Sequence, residues 1–238
     1  MTTMRVVPPA GGFGVAEISG LEAGVASADE QERARDLVAR YGMVCIRQSR
    51  PLDETELRAT VEWFGPGVAT VLHARELPPS GGGPTCFSDM RAALELLPKE
   101  LRGRIEHLDV VYAYDNEDAF FPPRRRSKGP SSALVDVVHP LVRMHHLAGT
   151  KSLFVDLDRA KHVVDIPVEE GRALLRELQA RAEKHAPKCE HDWHDHDVLV
   201  WDNVSVQHRA SGNFRLGEPR RFWRHLVGGP PPSREGPR

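Results

Sequence analysis

Apolar positions recur at helical spacing in four places along the chain. Ala34, Leu37, Val38 and Tyr41 fall at i, i+3, i+4 and i+7 and line one helix face. Leu57, Val61 and Phe64 make a second stripe, and Asp53 with Glu56 ahead of it has capping-box spacing. A third helix is expected from about Ser88 through Leu97, stopping before Pro98, because the residue ahead of a proline is pushed out of the helical region. A fourth begins near Pro167, whose fixed φ suits a first turn, and carries Leu174, Leu175 and Leu178. Short β-rich runs lie between them at 43–47, 68–72, 110–114, 153–155, 198–201 and 222–227. Helices cluster in the first half and around residue 175, and the strands are scattered between turns. That pattern predicts an α+β fold, a mostly antiparallel sheet or barrel with covering helices.

Composition narrows the reading. The chain has 238 residues, 40% apolar and 28% charged, as a soluble globular protein does. With 20 Gly and 19 Pro, turns are frequent, and two stretches read as irregular. One is 115–132, with Phe120, Phe121 and three consecutive arginines from Arg124; it reads as a solvated loop or as a lid over a pocket mouth. The other is the polar, Pro-rich tail 230–238, expected to be disordered, so that 1–229 forms one domain. The 32 basic and 34 acidic residues leave a net charge of -2, with no field to recruit nucleic acid or an anionic membrane. Apolar runs such as 43–46 are far short of the ~20 residues that span a bilayer. The first residues lack the apolar segment of a secretory signal. Cys45, Cys86 and Cys189 form neither a disulfide framework nor a CxxC pair, which favours a reducing cytoplasm. There is no GxxxxGK[ST] loop and no GxSxG elbow.

The chemistry-bearing pattern is C-terminal. A buried strand ends at Asp202-Asn203, His208 follows, and Arg220 and Arg224 come twelve and sixteen residues later. On a strand, Arg220, Phe222 and Arg224 share a face. Two guanidiniums beside an imidazole suit a small dicarboxylate near a metal, since arginine's planar fork matches a carboxylate. The plain alternative is edge-strand surface arginines and a core histidine.

This segment resembles the C-terminal motif of the TauD/TfdA (taurine dioxygenase-like) family of Fe(II)/2-oxoglutarate oxygenases. The likeness extends through most of the chain. GFGVAEISG at 12–20 resembles the family's opening hairpin, and IRQSRPLDETELRATVEWFG at 46–65 its strand-helix unit ending in Phe-Gly. ELPPSGGGPT at 76–85 resembles its Leu-Pro-x-x-Gly-Gly-x-Thr turn, and HPLVRMHHLAGTKSLFVD at 139–156 its hairpin leading to Leu-Phe-Val. The resemblance implies a double-stranded β-helix of jelly-roll type. It also implies that a small organic substrate is oxidised as 2-oxoglutarate is decarboxylated to succinate and CO2. By position, His208 matches the distal metal-binding histidine. Arg220 matches the arginine that grips the far carboxylate of 2-oxoglutarate, Arg224 the second arginine, and Thr85 the threonine that bonds the co-substrate.

The chain departs from the family at one place. The Trp-His-x-Asp segment that carries the other two metal ligands is missing between Gly65 and Val68. A facial triad needs three protein ligands, and one imidazole holds Fe(II) poorly. His73, on the strand brought forward by the shortening, is the candidate replacement, with a core or surface histidine as the alternative. His107-Leu108-Asp109 is the remaining H-x-D outside the His-rich turn. The run from His191 to Asp197 looks metal-binding by composition, yet reads as a solvated turn, with an adventitious nickel or zinc site as the alternative; His145-His146 reads as an exposed hairpin turn. Two functions therefore stand open. One is a cytoplasmic oxygenase, using Fe(II) and 2-oxoglutarate, with an incomplete ligand set. The other is a non-redox or inactive fold relative that binds a small carboxylate through Arg220 and Arg224. In both the partner is a small molecule, and a homo-oligomer is left open.

Overall fold

The computed structural model describes residues 4–65, 67–113 and 136–235, so the segment 115–132 lies outside the described residues. Along the chain run β1 (Arg5–Val7), β2 (Gly14–Ser19), α1 (Ala28–Tyr41), β3 (Gly42–Ile46), α2 (Glu54–Glu62), β4 (Ala69–Glu76) and β5 (Thr85–Asp89). Then come α3 (Met90–Glu95), α4 (Lys99–Ile105), β6 (Asp109–Tyr112), β7 (Val137–Pro140), β8 (Val142–Met144), β9 (Lys151–Leu153), β10 (Ala160–Val163) and α5 (Val168–His185). The last four strands are β11 (Lys188–His191), β12 (Val198–Asp202), β13 (Val206–Ala210) and β14 (Arg221–Val227). Where the sequence reading has one domain over 1–229, the residues group into two compact units. The first takes the chain up to Asp89 and from Pro187 to Pro231; the second takes Met90 to Ala186 and the chain from Pro232. No helix among the described residues is long and apolar enough to cross a membrane.

The first unit is built from two sheets. The larger has the order β1-β2-β3-β12-β4-β14, antiparallel except for the β2–β3 pair. The smaller is antiparallel, with the order β11-β5-β13. Ile18, Val44, Ile46, Val71, Val198 and Val200 pack with Ala34 and Val38 of α1 and Leu57 of α2. The alternate positions Met43, Cys45, Leu199 and Trp201 pack with Phe87 and Val206 of the smaller sheet. Strand β12 is thus covered on both faces, which is why it reads as an unbroken apolar run and not as an alternating one. Capping boxes start both helices, Ser27 with Glu30 for α1 and the expected Asp53 with Glu56 for α2.

The expected helix from Ser88 is displaced. Ser88 pairs with Lys188 and Gln207 in the smaller sheet, so β5 runs to Asp89 and α3 begins at Met90. The ladder on both sides of β5 outweighs local helix preference. A further helix, α4, follows Pro98; it has few apolar positions and left no clear stripe.

In the second unit, Leu174, Leu175 and Leu178 of α5 pack with Val163, Ile105, Leu141 and Leu153. The 230–238 stretch, expected to be disordered, is held at its described part: Met144 N–H donates to Ser233 O at 2.7 Å, and Arg234 pairs with Asp109 at 2.6 Å. Asp109 of the H-x-D motif is therefore an ion-pair partner at the α4–β6 junction. His145 is buried, not exposed as its turn suggested: its Nδ1 accepts the N–H groups of Leu147 and Ala148 and closes the β8–β9 turn.

Candidate active site

His208 faces the side of β13 that packs toward the larger sheet because of its register, and its side chain is exposed there. It stands opposite Phe87 on β5, and directly opposed residues project to one face. Its ring centre lies 4.7 Å from that of Trp201 and 6.2 Å from that of Phe87. Thr85, two residues before Phe87, faces the same way, and its Oγ1 accepts the Trp193 indole N–H at 3.1 Å. The turn that delivers β13 is fixed by Asp202, whose buried carboxylate accepts Val204 N–H at 2.8 Å and Ser205 N–H at 2.9 Å.

Arg220 is held by the glycine turn. Gly82 and Gly83 both have positive φ, 88° and 73°. A Cβ on Gly82 would sit 2.2 Å from Asn213 O, and one on Gly83 would sit 3.0 Å from Arg220 Nε, so the turn needs glycine for space as well as for conformation. Arg220 Nη2 donates to Gly83 O at 2.9 Å. The guanidinium lies 4.5 Å from the Phe222 ring centre and 5.4 Å from that of Phe214. Its Nε is buried with no hydrogen-bond partner, and no carboxylate pairs with it among the described residues. Burial pulls its pKa below the ordinary arginine value. Phe222 in turn packs edge-on against Trp193 at 4.5 Å. Arg220 and Thr85 thus border one aromatic wall, Phe222–Trp193, and Thr85 shares its face with His208. Trp193 and Phe214 carried no signal in the sequence; Phe222 was visible only as the residue between the two arginines.

Arg224 stands opposite Leu72, which packs in the inter-sheet core, but at the sheet edge, exposed and without an ion-pair partner among the described residues.

His73 is on the wrong face to join His208. It stands opposite Val198 and Trp223, on the side that α2 covers, whereas the inter-sheet side of β4 carries Leu72. Its Nε2 accepts Leu52 N–H at 3.0 Å and its Nδ1 donates to Asp197 O at 3.2 Å. Arg75 Nη1 also lies 3.3 Å from Nε2, and burial lowers the pKa, in keeping with a neutral ring. The expectation of His73 as a replacement metal ligand is therefore corrected: one step of strand alternation decides it. Nor do other side chains complete a triad. Among the described residues, the one group of three His, Cys, Asp or Glu side chains whose ligand atoms converge is Cys45, His191 and Asp197, and His208 is not in it. The described residues do not fit a three-ligand Fe(II) site at His208.

The family profile described as "Taurine catabolism dioxygenase TauD, TfdA family" matches residues 66–228, more than half of the chain. The chain belongs to the TauD/TfdA family. It is 39% identical over 141 residues to the alpha-ketoglutarate-dependent 2,4-dichlorophenoxyacetate dioxygenase of Cupriavidus pinatubonensis, covering 59% of this chain and 48% of that protein. It is 32% identical over 176 residues to the pentalenolactone F synthase of Streptomyces arenae, covering 69% and 58%. The chain spans about half the length of the curated relatives it matches. Among solved structures it is similar to AAD-2 in complex with Mn(II) and N-oxalylglycine, with a TM-score of 0.83 and 25% identity over 97% of this chain and 99% of that one. The α+β fold of this TauD/TfdA chain is accordingly a jelly roll with covering helices.

Proposed function

We propose that this TauD/TfdA chain is an alpha-ketoglutarate-dependent dioxygenase, oxidising a small organic substrate while 2-oxoglutarate and O2 yield succinate and CO2. The observation that carries the proposal is Arg220: a half-buried guanidinium with a buried, unpartnered Nε, no carboxylate partner among the described residues, and a wall shared with Thr85. Such a group is prepared for a carboxylate, with Phe214 and Phe222 packed beside the guanidinium. In this reading Arg220 and Thr85 bind the far carboxylate of 2-oxoglutarate. His208 marks the metal side, and Arg224 meets substrate at the rim. The relatives act on 2,4-dichlorophenoxyacetate, on sulfonates and on sulfate esters, so small organic anions are the first substrates to try. The three cysteines are free, which suits the cytoplasm.

The test is succinate formation from 2-oxoglutarate in air with added Fe(II), for the wild type, Arg220→Ala and His208→Ala, over a panel of aryloxyacetates, sulfonates and sulfate esters. Iron-dependent succinate release that both substitutions abolish supports the oxygenase. One observation favours a second reading: among the described residues no triad forms at His208. Arg220-dependent binding of 2-oxoglutarate with no succinate formed on any panel member would make the chain a carboxylate-binding relative instead.

A further inference from the structure

The His-rich turn from His191 to Asp197 has buried ends that the Arg220 pocket does not use. His191 closes β11, and Asp197 stands one residue before β12. Both are buried, as is Cys45 on β3. One ligand atom from each lies within 4.8 Å of the other two. Arg47, two residues past Cys45, holds Asp197 Oδ2 at 2.6 Å and Glu17 at 2.5 Å. The His194 N–H donates to the same Oδ2 at 2.9 Å. These two donors fix the carboxylate. Asp197 Oδ1 is buried without a hydrogen-bond partner. His191 Nε2 is also buried without a well-aligned hydrogen bond, and stands 3.2 Å from Oδ2 as an ion-pair partner. A buried polar atom left unpaired costs about 1–3 kcal/mol, so Asp197 Oδ1 with a poorly aligned imidazole and a thiol beside it favours an occupant.

We infer that Cys45, His191 and Asp197 form a zinc-binding site separate from the His208 pocket. A thiolate, an imidazole and a carboxylate are the donors zinc takes in tetrahedral sites, with room for a fourth ligand. Metal–ligand bonds of about 2.0–2.3 Å require the donor atoms to draw in somewhat from their present spacing, a matter of side-chain rotation. The thiol favours zinc over magnesium or calcium, and zinc precedes Fe(II) in the affinity order. Charge agrees. When Cys45 releases its proton to solvent, its thiolate, Asp197 and Glu17 balance Arg47 and the dication, so the filled site is neutral. The ligands come from both sheets, β3 and the approach to β12 in the larger and β11 in the smaller, so the ion would tie the two together.

The experiment uses the full chain, stripped with a chelator and reloaded with Zn(II) or Co(II). About one equivalent of zinc should bind, and the cobalt form should show a thiolate-to-metal charge-transfer band. Cys45→Ala should lose the band and bind zinc at least about 100-fold more weakly, beyond the usual effect of an outer-shell change. His208→Ala should keep both. X-ray absorption on the zinc-loaded wild type needs no variant: it should report one sulfur near 2.3 Å among nitrogen and oxygen neighbours. A sulfur-free zinc shell, or a cobalt band that survives in Cys45→Ala, overturns the assignment. Neither readout depends on oxygenase turnover.

Discussion

Replacing Arg220 with alanine separates binding from folding. In the free protein the guanidinium gives one hydrogen bond to Gly83 O and packs on Phe214 and Phe222. Losing the two ring contacts costs about 0.5–1 kcal/mol each, and removing a half-buried charge offsets part of that. Stability should therefore change by no more than about 1 kcal/mol. Those terms are the same with and without ligand and cancel in the binding difference. What remains is the charge-assisted bond to the co-substrate carboxylate, about 1.5–3 kcal/mol, or roughly a 10- to 150-fold rise in Kd. Arg220→Lys keeps the charge but not the fork and should fall between the two. Arg221, an exposed neighbour paired with Glu76 at 2.6 Å, is the control, and Arg221→Ala should leave Kd unchanged. The assay is calorimetry with 2-oxoglutarate and N-oxalylglycine, alongside urea unfolding of each variant. A Kd for Arg220→Ala within threefold of wild type, or an equal loss in Arg221→Ala, refutes the reasoning.

Three further outcomes follow from the same geometry. Gly83→Ala puts a side chain at φ 73° and 3.0 Å from Arg220 Nε, whereas Gly81→Ala at φ 72° meets nothing within 4 Å; each should lose about 1–2 kcal/mol in thermal melts, and only the first should weaken 2-oxoglutarate binding. His73→Ala removes the acceptor of the buried Leu52 N–H and should cost about 1–3 kcal/mol in urea unfolding, with metal binding unchanged; a loss of metal would return His73 to the site. Burial pushes the Asp197 carboxyl up, but His191, the His194 N–H and Arg47 outweigh it and hold the pKa below its ordinary value. Its contribution is then fully present above the ordinary pKa near 3.9 and fades as the pH falls through the folded value below that; acid unfolding followed by circular dichroism should be steeper below about pH 4 for wild type than for Asp197→Asn.

Local rules were legible in the chain itself. The stripes of α1, α2 and α5 are their buried faces, since each helix pays little to form where its apolar side has a sheet to cover. Asp53 and Glu56 announced the start of α2, and the glycine turn ahead of Thr85 announced a backbone that tolerates no Cβ. The spacing of Arg220, Phe222 and Arg224, with the family motif around them, singled out Arg220 as a candidate for the co-substrate carboxylate. The weak points were those that depend on a partner strand. Ser88 lies in a sequence that suits a helix, but ladders on both sides make it strand. His73 and Leu72 are adjacent in the chain and face opposite sides of β4, and only the register against β12 says which of them shares the side that His208 faces. The buried trio Cys45, His191 and Asp197 spans about 150 residues of sequence and is assembled by two strand pairings, Cys45 opposite Leu199 and His191 opposite Thr85. Periodicity, capping and turn chemistry are properties of neighbours in sequence, so the sequence by itself determined them. Which face a strand shows, and which distant side chains share a space, are set by register and by sheet stacking, and these exist only once the chain has folded.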